Sequence, residues 1–96
     1  MKNLQLAATL AEIADLLALL GENPFRIRAY KRAARSIELL PESIDTIWRE
    51  GRLADVEGVG KGIAANIEQW LTEGVIDAHE ELKQRIPRGL LEVVRV

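Results

Sequence analysis

The sequence contains no cysteine, which excludes a disulfide framework and a thiolate metal site. Its one histidine, His79, cannot by itself build a usual zinc site. Aromatic residues are scarce: Phe25, Tyr30, Trp48 and Trp70 make up 4% of the chain. The core must therefore come from Leu, Ile, Val and Ala, and a hydrophobic content of 48% is enough for one. No alternating apolar–polar run marks a strand. The apolar opening, residues 1 to 20, carries Lys2, Glu12 and Asp15, whereas a membrane-spanning helix needs roughly 20 apolar residues with few or no charges. A signal peptide's positive start and small-residue cleavage site are also missing. These absences predict one soluble, cytoplasmic, all-α domain over residues 1–96, a small bundle of four to five helices.

Helix signals are abundant. Over residues 3 to 20, Leu6, Leu10, Ile13, Leu17 and Leu20 recur at spacings of four and three, one helical face. Asn3 is the expected N-cap and Gly21 the stop. Leu16 and Leu19 widen the apolar stripe, which suggests a homodimer or docking seam on the first helix. Ala7, Ala11, Ala14 and Ala18 permit close helix contact. Asn23-Pro24 is a cap followed by proline at the first helical position; the second helix is expected to run to about Leu40, before Pro41. Ser43 should cap a short helix over Ile44 to Arg49, closed by Gly51. Further helices are expected after the glycine cluster at 58–62, over 78 to 85, and from Leu90 to Val94 beyond a turn at Pro87-Arg88-Gly89.

The net charge of −2 conceals an asymmetry. RIRAYKRAAR, residues 26 to 35, holds five bases and no acid, so the remainder is strongly acidic. Arg28, Lys31, Arg32 and Arg35 fall opposite the apolar stripe of Ile27, Tyr30, Ala34 and Ile37. With Arg26 they form a basic helix face, a directed phosphate-contact surface on an otherwise acidic chain. The rival reading pairs these bases with the protein's own acids.

GVGKGIAANI, residues 58 to 67, places three glycines and a lysine directly before an apolar helical run. Leu53 and Val56 precede the turn; Ile63, Ala64 and Ile67 follow it. Two short helices joined by a tight hairpin fit this spacing, with Val59 tucked between them. Glycine at 58 and 60 tolerates positive φ and leaves no side chain over the backbone. Amides at residues 60 to 63 would then face outward at a helix N-terminus, a favourable place for a phosphate, with the full charge of Lys61 beside it. A Walker A loop is excluded, because Gly62 stands where Ser or Thr is required and no strand precedes the turn; a dinucleotide fingerprint fails for want of the same strand.

This spacing resembles the helix-hairpin-helix motif, over about residues 53–73. The resemblance implies that Gly58, Val59, Gly60, Lys61, Gly62 and Ile63 hold a DNA backbone phosphate, a contact that positions without reading sequence. It also allows a monovalent cation, Na+ or K+, on the backbone carbonyls of Val56 and Gly58; no other cofactor is implied. The likeness extends further. GENPFRIRAYKRAARSIELLP, the hairpin, a helix ending WLTEG and then IPRGLLEVV together resemble the N-terminal domain of bacterial family X DNA polymerases, relatives of DNA polymerase beta. That implies a module of base excision or gap repair in the bacterial nucleoid, binding gapped or nicked DNA at its 5′-phosphate. It also suggests an excised domain whose parent chain is a polymerase.

Eukaryotic members of that family also use this domain as a deoxyribose-phosphate lyase, through a lysine that forms a Schiff base. The matching position here is Asn66, and an amide cannot do this. Other phosphate-binding lysines match Gly62 and Ala78. The alternatives to a binding module are therefore a lyase with Lys61 or Lys31 as relocated nucleophile, and a protein-interaction domain. Nothing in the sequence depresses the pKa of an exposed lysine from its usual ~10.4. Among single residues, Tyr30 is expected in the core with its hydroxyl at the rim. Phe25 is expected to pack on the first helix, or else to stack on a base or sugar. Trp48 and Trp70 are expected in the core, and His79 on the surface.

Overall fold

The computed structural model describes residues 2–86. Within them are five α-helices, α1 (Asn3–Leu19), α2 (Pro24–Glu38), α3 (Ile44–Arg49), α4 (Lys61–Glu73) and α5 (Asp77–Arg85), with a single 3-10 turn at Leu53–Asp55. No strand occurs among the described residues, so the all-α expectation holds. The turn expected at 87–89 and the helix from Leu90 lie outside the described residues.

α1 and α2 form the main pair, an antiparallel hairpin around a short Gly21-Glu22-Asn23 link. α1 ends as expected: Gly21 has φ +68°, and the Glu22 amide reaches back to the Leu17 carbonyl at 3.0 Å, closing the last turn. The α2 start is also as expected, with Asn23 Oδ1 accepting from the Phe25 amide at 2.8 Å and Pro24 occupying the first turn. The apolar stripe of α1 is fully buried at Leu6, Leu10, Ile13 and Leu17. It meets Tyr30, Ala33, Ala34 and Ile37 of α2, with Ile44, Ile67, Ile76 and Leu82 closing the core. Full burial of an aliphatic side chain is worth about 1.5–3 kcal/mol, so this stripe dominates the fold's stability. Leu16 is also fully buried. It therefore cannot form an external seam with Leu19, whose side of α1 alone faces solvent.

Other expectations are corrected as well. Asn3 does not cap α1, whose N-cap is Lys2 with no side-chain bond. Its buried amide instead reaches across the fold: Nδ2 donates to the Glu42 carbonyl at 2.8 Å, and Oδ1 accepts from the Ile44 amide at 2.9 Å. Buried backbone groups at the start of α3 need partners, and that need outweighs a local cap. The first arm of the glycine hairpin is only a 3-10 turn. Gly51 has already reversed the chain at φ +70°, which leaves too few residues before the glycines to nucleate an α-helix.

α5 is fastened by several contacts. Its Asp77 amide donates to Gln69 Oε1 at 2.8 Å, Leu82 and Ile86 are buried, and Arg85 reaches Glu22 at 3.4 Å. His79 is not a surface residue: its side chain is 12% exposed and its Nε2 lies 3.1 Å from Glu12 Oε2. Trp48 and Trp70 pack half-buried against the core.

Candidate nucleic-acid interface

The hairpin runs from the 3-10 turn through Gly58, Val59 and Gly60 into α4. Leu53, Val56 and Val59 bury their side chains below it, and Ile63 and Ile67 do so from α4. Val59 thus pins the loop as expected. Its amide is not open, however, because it donates to the Val56 carbonyl at 3.1 Å. The open donors begin one residue later. Among the described residues, the amides of Gly60, Lys61, Gly62 and Ile63 have no hydrogen-bond acceptor, and the first amide drawn into the helix is Ala64, which bonds the Gly60 carbonyl at 2.8 Å. Gly60 is the N-cap and offers no side-chain cap, so a cluster of unpaired donors stands at the positive end of a 13-residue helix.

The two turn glycines act differently. Gly58 has φ +82°, the left-handed region that disfavours side chains. A Cβ there would also lie 3.0 Å from Arg32 Cγ and 3.2 Å from the Ala33 nitrogen. The turn therefore rests directly on α2. Gly60 does not use the positive φ that glycine tolerates: it is extended at φ −92° and ψ −174°, and a Cβ at Gly60 or Gly62 would meet nothing within 4 Å. Those two glycines keep space open in front of the donors.

That space is a groove of about 440 Å³, lined by Arg26 and Tyr30 of α2, by Gly58, Gly60, Gly62, Ile63 and Asn66 of the hairpin and α4, and by Ala29 and Ala78. Its charged side chain is Arg26. Tyr30 is buried, and its hydroxyl accepts from Asn66 Nδ2 at 2.6 Å, which holds both polar groups on the groove wall. No lysine lines it; Lys61 is exposed outside this lining. Phe25, next to Arg26, is 75% exposed rather than packed on α1. The Arg28 guanidinium lies 5.0 Å from its ring centroid, in the range of a cation–π contact.

The basic face of α2 is divided by the hairpin. A second and larger groove, of about 620 Å³, lies on the hairpin's other side, and Arg32, Arg35 and Arg52 line it with Glu42, Asp55 and Glu57. Here most bases have acidic partners. Arg32 bonds Glu57 at 2.7 Å, and Arg52 bonds Glu42 at 2.9 Å and also Glu50. Hydrogen bonds donated by Arg52 hold the Glu42 carboxyl below its usual value, and donating to Glu42 and Glu50 holds the guanidinium above its own. All five α2 bases are exposed. Of these, only Arg32 has an ion-pair partner among the described residues.

Residues 1–76 match the helix-hairpin-helix domain family. The chain belongs to that family. It is also 29% identical, over 87 residues, to the DNA polymerase/3′-5′ exonuclease PolX of Bacillus subtilis (strain 168). That alignment covers 91% of this helix-hairpin-helix chain but spans only 15% of the length of the relative. Among the described residues no helix is long and apolar enough to cross a membrane, and no group of three or more His, Cys, Asp or Glu side chains is placed to hold a metal ion. Sequence reasoning missed Glu57 and gave Asn3 a local role in place of its long-range one. The partners of each lie 25 to 41 positions away, and no local pattern announces such distances.

Proposed function

We propose that this chain is a non-sequence-specific DNA-binding module of repair, acting in the bacterial nucleoid, that grips a backbone phosphate at the 5′-phosphate side of a gap or nick. The observation that carries this reading is the groove in which Arg26 faces the mouth formed by Gly60 and Gly62, at the four unpaired amides of residues 60 to 63. Backbone N–H groups at a helix N-terminus favour a phosphate oxygen, and a guanidinium adds a charge-assisted hydrogen bond of planar geometry. The likeness to PolX and the family match support the same direction. Lys61, the first residue of α4, adds charge next to the open amides, without reading bases. A monovalent cation on the Val56 and Gly58 carbonyls belongs to the same proposal; the Val56 oxygen accepts one protein bond and has a second lone pair.

The groove supports binding rather than lyase chemistry, because the side chain at the wall is the Asn66 amide, already bonded to Tyr30. Borohydride treatment with an abasic-site oligonucleotide should leave no trapped adduct; an adduct lost in Lys61→Ala would establish the relocated-lysine alternative. The test of the main reading is a titration against gapped duplex with and without the 5′-phosphate, at two salt concentrations. Tighter binding of the phosphorylated end and a steep fall with salt are expected. Equal, salt-insensitive binding of both would refute it.

A further inference from the structure

The hairpin carries an acid where a phosphate-binding loop has least use for one. Glu57 immediately precedes Gly58, and its side chain is 72% exposed. Glu57 lines the larger groove, on the hairpin's other flank from the mouth, but it stands only three residues before Gly60; charges interact over about 10 Å at 0.1 M salt, so its carboxylate repels an incoming strand. Arg32 is placed to cancel it. Its Nη2 lies 2.7 Å from Glu57 Oε1, and its Cγ lies 3.0 Å from where a Cβ at Gly58 would stand. The stem of Arg32 is thus the floor of the turn, and its head neutralises the turn's own acid.

We propose that Arg32 is a positioning residue for the phosphate-binding hairpin, not a DNA contact, and that the Arg32–Glu57 pair sets the affinity of the mouth by masking a repulsive carboxylate. This rests on the DNA-binding reading above. The pair is solvent-exposed on both sides, so it adds little to the stability of the free domain. Its effect lies in the field that an approaching polyanion meets. The charge of Arg32 does not add to that of Arg26, Lys31 or Lys61, because Glu57 offsets it within the protein.

The two roles open to Arg32 differ in their salt signature. A base that contacts a phosphate releases counterions, and its loss lowers the slope of log K against log salt by about 0.9. A base that only masks Glu57 becomes dispensable once Glu57 is neutral. The experiment measures binding of the full chain to a gapped, 5′-phosphorylated duplex across a salt series, for wild type, Arg32→Gln, Glu57→Gln and the double variant. Arg32→Gln should bind about twofold to fivefold more weakly at low salt, and Glu57→Gln tighter by a similar factor, the size expected of one unscreened charge near a protein surface. The double variant should return to within about twofold of wild type, with an unchanged salt slope. Thermal melts of all four should coincide within a few degrees.

The proposal is overturned if Arg32→Gln and the double variant are equally weak and both lose about 0.9 of the slope, for Arg32 then touches phosphate itself. It is also overturned if Glu57→Gln binds no tighter than wild type. Salt-independent binding by wild type would instead remove the DNA-binding reading on which the proposal stands.

Discussion

The two grooves flanking the hairpin draw on the same basic helix, yet they differ in what their charges can do. In the smaller groove Arg26 has no acidic partner among the described residues and faces a mouth with four open amides. In the larger one, Arg32 and Arg52 are tied to Glu57, Glu42 and Glu50. The difference teaches that a run of bases in sequence is not a surface of available charge. Volume points the wrong way here, since the larger cavity lies where the charge is already balanced.

The sharpest break of that comparison comes at Gly58. Gly58→Ala forces a side chain into the left-handed region, at a cost of about 1–2 kcal/mol, and against Arg32 and the α2 backbone. The hairpin should lift from α2, melting should begin at a lower temperature, and most DNA affinity should vanish in an anisotropy titration. Gly62→Ala separates fold from site. Position 62 is helical with open space in front of it, so alanine should stabilise the chain by about 0.5–1 kcal/mol. The same methyl would stand between a phosphate and its donors. Losing one charge-assisted hydrogen bond, about 1.5–3 kcal/mol, should weaken binding about tenfold or more, even as the melting temperature rises.

Arg26→Gln and Arg35→Gln compare the grooves directly. The first should cut affinity and reduce the salt slope by about 0.9, while the second should leave the slope nearly unchanged. Equal losses from both would mean that the basic face acts as one surface after all. The smallest effect belongs to the larger groove's own network. Glu42 has a folded-state pKa below its unfolded value, chiefly through hydrogen bonds from Arg52. Its contribution to stability is therefore present above the unfolded pKa, about 4.3, and lost as pH falls through the lower, folded one. Arg52→Gln should lower the melting temperature slightly at pH 7, and that difference should shrink as the pH is taken below about 4.

Features fixed by neighbouring residues were legible in the sequence. Asn23-Pro24, Ser43, Gly21 and Gly51 act on their own helix ends, so the helix boundaries could be read within a residue or two. The buried stripes of α1 and α2 follow from spacing in the same way. What escaped depends on which surfaces meet. The two bonds of Asn3, the pairing of Arg32 with Glu57, the burial of Leu16 and the exposure of Phe25 are all set by the angle at which α2, α3 and the hairpin pack. At the site, spacing located the open amides at residues 60 to 63, where the structure leaves them free. The resemblance also counted Val59 among the phosphate contacts, but the short Val56–Val59 turn takes up that amide, and only backbone geometry reveals it.

The bare backbone of Gly58 against α2 also bears on kinetics. With no side chain at Gly58, and the Arg32 stem and α2 backbone directly beneath it, loop and helix pack as one unit, so an oligonucleotide would encounter a receptor already in its bound shape. Stopped-flow traces should then be single-exponential, with a rate that climbs in proportion to oligonucleotide concentration and shows no plateau from a slow rearrangement.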